Sequence, residues 1–152
     1  MSARAGVIVA AFLGVALATG AEAQGITNTR DLAFGQVAAG ATSGTAVVTP
    51  AGTRSLTGGV TPGSSGGVTS AQFTVSGIPL FTYSIALPGS VVLSSGANTM
   101  TVNTFTSSPS GTGQIQLIIG TQTLTLGATL QVGANQSSGS YTGTFNVTVV
   151  YN

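Results

Sequence analysis

The C-terminal stretch decides the fold, and it reads Tyr141-Thr142-Gly143-Thr144-Phe145-Asn146-Val147-Thr148-Val149-Val150-Tyr151. Apolar or aromatic residues and one glycine hold its odd positions, whereas Thr and Asn hold the even positions as far as residue 148. Such alternation is typical of a β-strand with one buried and one solvated face. The sequence therefore predicts a core strand that is also a candidate for subunit assembly. Its core-facing residues are Tyr141, Phe145, Val147, Val149 and Tyr151.

Similar alternation recurs upstream, between short gaps rich in Gly, Pro, Ser and Asn. The clearest further strands are predicted at 124–132, 81–87 and 115–119, and weaker ones at 45–49, 54–60, 70–76, 90–94 and 99–106. Thr, Val, Ile, Phe and Tyr dominate these runs, as strands prefer, and helical periodicity is absent. Short strands separated by turns indicate an antiparallel sandwich or barrel.

The composition excludes several classes of function. The 152 residues include 23 Gly, 24 Thr and 17 Ser, and they contain no Cys, His, Trp or Lys. Thiolate and imidazole chemistry and conventional zinc or haem sites are therefore excluded, and no cofactor is expected. With three basic and two acidic residues, the chain has no footprint for nucleic acid or for an anionic lipid surface.

The N-terminal stretch has the three parts of a secretory signal peptide. A short start ends at Arg4, an apolar run covers 5–20, and Ala21-Glu22-Ala23 supplies small residues for cleavage before Gln24. The sequence thus predicts a signal peptide over 1–23 and one domain over 24–152. The alternative is an uncleaved membrane anchor, but the apolar run is short of the ~20 residues that span a bilayer. We expect export to the periplasm, the extracellular space or the cell surface.

The predicted mature chain carries three charged side chains, Arg30, Asp31 and Arg54. Asp31 is its only carboxylate side chain, so one subunit cannot assemble a catalytic carboxylate pair, and a Ser or Thr nucleophile lacks an ordinary base. A strong calcium site is improbable for the same reason. We therefore expect no enzyme activity and no small-molecule substrate, and we interpret Arg30 and Asp31 as a solvated or edge-capping pair.

Three tyrosines invite two interpretations. Tyr83, Tyr141 and Tyr151 could form a platform on which a carbohydrate stacks, or they could pack in the core. All three share the parity of the apolar residues of their strands, which favours packing.

The ordered motifs of the chain resemble a secreted bacterial family, domain of unknown function 4402. They run from Asp31-Leu32-Ala33-Phe34-Gly35 through Gly127-Ala128-Thr129-Leu130 to Gly139-Ser140-Tyr141-Thr142-Gly143. The positions that carry the resemblance are Asp31, Leu32, Phe34, Gly35, Gly127, Thr129, Leu130, Gly139, Tyr141 and Gly143.

More distantly, the chain is similar to spore-coat-U-type subunits of archaic chaperone–usher pili. That similarity implies an all-β fold, an antiparallel immunoglobulin-like β-sandwich of roughly seven to nine short strands, completed by a strand from a neighbouring subunit. Low charge and high β-propensity make segment 141–151 an aggregation hazard before folding, so a periplasmic chaperone is expected as a partner. The chain departs from the pilin pattern in two ways. In the predicted mature chain only residues 24–30 precede the first motif, which is short for an N-terminal donor segment, and the paired cysteines of many such pilins are absent.

Three functions remain open at the level of sequence. The first is an exported structural subunit, fimbria-like or coat-like, that pairs through strand edges with copies of itself or with a related subunit. The second is a secreted binding module or adhesin. The third is a small outer-membrane barrel, which its few scattered aromatic residues disfavour.

Overall fold

The computed structural model describes residues 6–16, 25–64 and 66–152, and in these parts of the chain every regular element is a β-strand. No helix among them is long and apolar enough to cross a membrane. The strands are β1 (Gly6–Ala16), β2 (Gly25–Arg30), β3 (Leu32–Ala38), β4 (Gly44–Val48), β5 (Arg54–Gly58), β6 (Thr61–Pro62), β7 (Val68–Thr69), β8 (Ala71–Ser76), β9 (Thr82–Ala86), β10 (Ser90–Ser95), β11 (Asn98–Ser108), β12 (Thr112–Gln114), β13 (Thr121–Val132) and β14 (Gly139–Tyr151).

The strands form an antiparallel β-sandwich, so the predicted fold class is confirmed. One path of paired strands runs β2-β8-β13-β11-β10-β14-β1-β3-β6, and β4, β5, β7, β9 and β12 attach beside it. The structure has fourteen strands, more than the seven to nine that were expected. Among the additional strands, β6, β7 and β12 are pairings of two or three residues, and β1 lies in the predicted leader. The β1–β14 pair is parallel, and the other pairs among the described residues are antiparallel.

Strand β13 is paired along both edges. One edge meets β8 over residues 121–126 and then β4 over residues 128–132, while the other edge meets β11. The change of partner occurs at Gly127, where a Cβ atom would lie 2.0 Å from the Val48 carbonyl oxygen. Only a glycine lets the end of β4 approach β13 this closely, which gives the first physical reason for a family-motif residue.

Strand β14 confirms the parity that its sequence predicts. Tyr141, Phe145, Val147 and Val149 are buried, whereas Thr142, Thr144 and Asn146 are exposed. One edge of β14 pairs with β10 and then with β9, and the opposite edge pairs with β1. The core faces of β13 and β14 together supply much of the buried apolar cluster between the layers.

Two strand predictions need correction, those at 115–119 and at 81–87. The predicted strand at 115–119 is wrong: the segment forms a turn, closed by hydrogen bonds from the Gln116 N–H to the Thr121 carbonyl (3.3 Å) and from the Gly120 N–H to the Gln116 carbonyl (3.1 Å). Gly120 adopts a φ of 68°, in the left-handed region that ends extended structure. The predicted strand at 81–87 begins one residue later, at Thr82, and ends at Ala86.

The predicted cleavage residues Ala21, Ala23 and Gln24 lie outside the described residues. The signal peptide over 1–23 and the domain boundary at residue 24 therefore stay predictions. Within the predicted leader, residues 6–16 are described as strand β1.

Candidate functional site

The facing edges of β3 and β14 define the candidate site, which we call the acceptor cleft. Strand β1 bridges it: β1 pairs with β14 from Val7–Gly139 to Ala16–Thr148, and with β3 from Gly6–Ala38 to Ala11–Leu32. No direct ladder joins β3 to β14 among the residues that the structure describes. Backbone pairing across the cleft therefore passes through β1.

The register across the cleft favours a strand with period-two alternation. Odd-numbered residues of β1 pair with odd-numbered residues of β14, so that Val9 occupies the register position of Tyr141 and Leu13 that of Phe145. The odd residues of β14 are those that face the core. Paired residues in a sheet share a face, so the cleft selects for a strand that is apolar at every second position.

The β3 wall of the cleft contains a bulge at Gly35. The β1–β3 register shifts there, because Val9 pairs with Gly35 and Ala10 pairs with Ala33. Gly35 has a φ of 73°, and a Cβ atom on it would lie 2.9 Å from Arg54 Nη1. This left-handed conformation and close approach explain the glycine at this motif position.

Arg54 holds this bulge in place. Its Nη1 atom donates hydrogen bonds to the carbonyl oxygens of Phe34 (2.8 Å) and Gln36 (3.2 Å), on either side of Gly35. Sequence reasoning assigned no structural role to Arg54 and missed this one. Its isolation in a chain with 3% charged residues was the available signal, because a lone arginine carries five donors that need acceptors.

Arg30 caps a strand edge, but its partner is not Asp31. Its Nε atom donates to the Ser70 carbonyl (2.8 Å) and its Nη2 atom to Ser70 Oγ (2.9 Å). The Asp31 carbonyl accepts a hydrogen bond from Thr69 Oγ1 at 2.8 Å. The edge-capping interpretation is therefore correct for Arg30, with the start of β8 as the edge. Among the described residues, no three His, Cys, Asp or Glu side chains group as metal ligands.

The three tyrosines are packed and hydrogen-bonded, as the core interpretation predicts. Tyr141 is fully buried, and its hydroxyl donates to the Ser137 carbonyl at 2.6 Å. Tyr83 is fully buried and donates to Gln122 Oε1. The half-buried Tyr151 lies 6.2 Å from Tyr83 between ring centroids.

Burial alters the acidity of two of these phenols. Desolvation, with a smaller contribution from Tyr151, raises the pKa of Tyr83 to about 12. Desolvation also raises the pKa of Tyr151, and a backbone hydrogen bond from Gly25 partly opposes that effect. Both phenols therefore stay neutral at physiological pH, where they act as hydrogen-bond donors.

The sequence motifs fall on both walls of the cleft and in one place beyond it. Asp31 immediately precedes β3, which contains Leu32, Phe34 and Gly35, and β14 contains Gly139, Tyr141 and Gly143. Gly127, Thr129 and Leu130 lie on β13, outside the cleft, where Gly127 admits β4. In β14, a Cβ atom on Gly143 would lie 2.7 Å from Leu93 Cδ2, so this glycine lets β10 pack closely.

A family model described as Domain of unknown function (DUF4402) matches residues 25–151. The chain belongs to this family. The DUF4402 match begins at the first residue of β2 and ends at the last residue of β14, and it leaves β1 outside. The family resemblance predicted from the motifs is thus confirmed, whereas the similarity to spore-coat-U-type pilin subunits stays a prediction. No curated protein matches the chain.

Beside the β3 wall lies a surface pocket of about 390 Å³. It is lined by Gln36, Val37, Ala38, Thr61, Pro62, Gly63 and Ser64. None of these side chains titrates near neutral pH, so the pocket offers no acid or base to a bound molecule. The acceptor cleft therefore remains the feature around which a function is best argued.

Proposed function

We propose that the chain is an exported, non-catalytic structural subunit of a surface assembly, fimbria-like or coat-like. Each subunit would offer its acceptor cleft to a strand from another copy or from a related subunit. Its compartment would be the periplasm during assembly and the cell surface or extracellular space afterwards.

The pairing of β1 in the cleft is the observation that supports this proposal. If residues 1–23 are removed on export, the facing edges of β3 and β14 lose their shared partner. The exposed backbone N–H and C=O groups then need new partners, because unpaired strand edges are sites of association. A strand donated by a neighbour satisfies those groups and covers the apolar residues beneath.

The chemistry of the cleft also suits a strand better than a substrate. Its walls contain buried apolar residues such as Phe34, Val37 and Phe145, and the nearby Arg54 is already bonded to backbone carbonyls. The 24–152 region has one carboxylate side chain, Asp31, and no histidine or lysine. General acid–base or nucleophilic catalysis has few candidate groups here.

An open cleft would make the exported subunit prone to aggregation before assembly. The segment 141–151 combines strong β-propensity with an absence of charge and proline, which are the features of aggregating segments. We therefore propose a periplasmic chaperone as a transient partner that covers the cleft until another subunit replaces it.

The proposal is tested by assembly of the exported chain. Protein recovered from the cell surface by shear is expected to begin at Gln24 and to form filaments or a coat visible by electron microscopy. A synthetic peptide copying residues 6–16 should block assembly by filling the cleft, and a peptide of the same composition with scrambled order should not. An exported chain that stays monomeric at all concentrations, with or without the peptide, would contradict the proposal.

A further inference from the structure

One end of the sandwich exposes six large apolar side chains on two adjoining loops. We call this surface the apolar tip. It consists of Ile78, Leu80 and Phe81 from the loop between β8 and β9, and of Leu117, Ile118 and Ile119 from the turn between β12 and β13. Ile118 is 92% exposed, and Leu117 and Ile119 are each 63% exposed. Soluble proteins seldom expose large apolar patches without a binding role.

Backbone hydrogen bonds hold the two loops of the tip together. The Leu80 N–H donates to the Ile115 carbonyl at 2.8 Å, and the Ile115 N–H donates to the Phe81 carbonyl at 2.9 Å. The Gly77 N–H donates to the Gly120 carbonyl at 3.2 Å. Leu80 also has a φ of 70°, a left-handed conformation that is rare for a bulky residue. The exposed side chains thus stand on a preformed support.

Among the residues that the structure describes, the charged residues are bonded elsewhere and do not belong to the tip. Arg30 is bonded to Ser70 at the start of β8, and Arg54 is bonded to carbonyls of β3. Asp31 lies next to Arg30 in the chain, and its carbonyl is bonded to Thr69. Recognition at the tip therefore depends on apolar contact, with no ionic contribution.

The tip lies beside the point where the N-terminal apolar run joins the domain. Gly25 pairs with Ser76, and the Tyr151 hydroxyl donates to the Ser76 carbonyl (2.6 Å) and accepts from the Gly25 N–H (3.1 Å). Ser76 directly precedes the first loop of the tip. Before cleavage, a leader that left its pairing in the cleft and engaged a membrane through residues 5–20 would hold this end of the domain against the lipid surface.

We propose that the apolar tip inserts into the interface of an electrically neutral lipid bilayer. The tip comprises two adjoining turns, and a bilayer receives such a surface without a matching recess, whereas a second copy would have to supply one. Aliphatic side chains gain free energy when they leave water for the acyl boundary, and the absence of charge makes anionic lipid unnecessary. The apolar tip thus binds the exported subunit to the membrane surface, and this role is separate from strand pairing in the cleft.

The absence of cysteine permits a direct test on the full chain. Ile118→Cys and, as a matched control, Val92→Cys each create one site for an environment-sensitive fluorophore. Val92 is an exposed apolar residue on β10. Its carbonyl oxygen lies beside Gly143 of β14, whereas the tip adjoins the other end of β14, at Tyr151. Because residues 5–20 can also bind lipid, the difference between the two labelled sites is the readout.

With phosphatidylcholine vesicles, the label at residue 118 is expected to shift its emission to the blue, and the label at residue 92 is not. The shift should be unchanged by 1 M salt, because no charge contributes. Replacing both Leu117 and Ile119 by Ser should weaken the vesicle-dependent shift at residue 118 at least about tenfold in lipid concentration. Val92→Ser should leave that shift unchanged.

Three results would overturn the proposal. The first is no shift at residue 118 on addition of vesicles, and the second is an equal shift at residue 92. The third is a shift at residue 118 that grows with protein concentration in the absence of vesicles, which would assign the tip to contact between two copies. The first two outcomes do not bear on strand pairing in the cleft, and the third assigns the tip, separately from the cleft, to contact between copies, so failure of this proposal is distinguishable from failure of the proposed assembly.

Discussion

Strands β13 and β14 are alike in length and pattern and differ in what lies along their second edge. They contain 12 and 13 residues, and both bury one parity of their side chains. Both edges of β13 pair with strands that belong to the DUF4402 match, namely β8, β4 and β11. β14 pairs with such strands, β10 and β9, on one edge, and its other edge pairs with β1, which lies outside the match.

On our proposal, the difference separates stability from assembly. When both edges of a strand pair within its own domain, its backbone hydrogen bonds are complete once the domain folds, and its contacts stabilise the core. A strand whose second partner comes from a predicted leader has the backbone hydrogen bonds of that edge dependent on the leader. The same alternating pattern therefore serves the core in β13 and, on our proposal, both the core and a neighbouring subunit in β14.

The largest expected effect comes from a charge placed on the buried face of β14. Val147→Lys buries an ammonium among apolar side chains without a partner, so we expect the folded, exported protein to disappear. Thr144→Lys is the matched control, because its side chain is exposed and the lysine stays solvated. Immunoblots of the exported fraction would measure both variants. Equal recovery of the two would mean that the assigned parity of β14 is incorrect.

A large core truncation should show the same asymmetry on a smaller scale. Phe145 is buried, and its ring lies 5.2 Å from that of Phe105 between centroids. Phe145→Ala is expected to lower the free energy of unfolding by about 3–5 kcal/mol, whereas Thr144→Ala should cost less than about 1 kcal/mol. Denaturant titration of both variants gives the two values. Similar values at the two positions would rule out a one-sided burial of β14.

The smallest effect concerns alkaline pH at the far end of β14, where Tyr151 meets Tyr83. Because the folded state raises the pKa of Tyr83 to about 12 from 10.0, the unfolded state loses its proton first. The stability supplied by the neutral phenol is thus full below pH 10 and falls as the pH rises toward 12.

Tyr83→Phe tests this dependence. It removes the hydrogen bond to Gln122 and should cost about 1 kcal/mol at neutral pH. The variant should also show a weaker loss of stability between pH 10 and 12 in thermal unfolding curves. The remaining dependence belongs to Tyr151, whose pKa is raised as well. An unchanged alkaline profile in Tyr83→Phe would show that Tyr83 does not titrate in this range.

Much of the fold could be predicted because period-two alternation is local. The parity of β14 and of β13 follows from successive residues, and the turns follow from Gly, Pro and Asn. The segment 115–119 shows the limit of that reasoning. Its alternation matched a strand, but a glycine with positive φ and backbone hydrogen bonds across the turn placed Leu117 and Ile119 in solvent.

The candidate site was less accessible to sequence reasoning, because it depends on contacts between distant residues. Motif residues on β3 and β14 were found, but their placement on opposite walls of one cleft requires the topology. The role of Arg54 at the Gly35 bulge depends on two backbone carbonyls separated from it by 18 and 20 positions. The isolated charge of Arg54 indicates that its donors need acceptors, but the sequence does not show which distant carbonyl oxygens accept.

Hydrogen exchange of backbone amides tests the central claim most directly. In a monomeric exported chain that begins at Gln24, amides of β14 over residues 139–148 that face the cleft should exchange much faster than amides of β13. A peptide copying residues 6–16 should restore their protection, since it supplies the missing partner strand. If β14 in that monomer is as protected as β13 without the peptide, its second edge is not open, and the acceptor cleft does not exist in the exported protein.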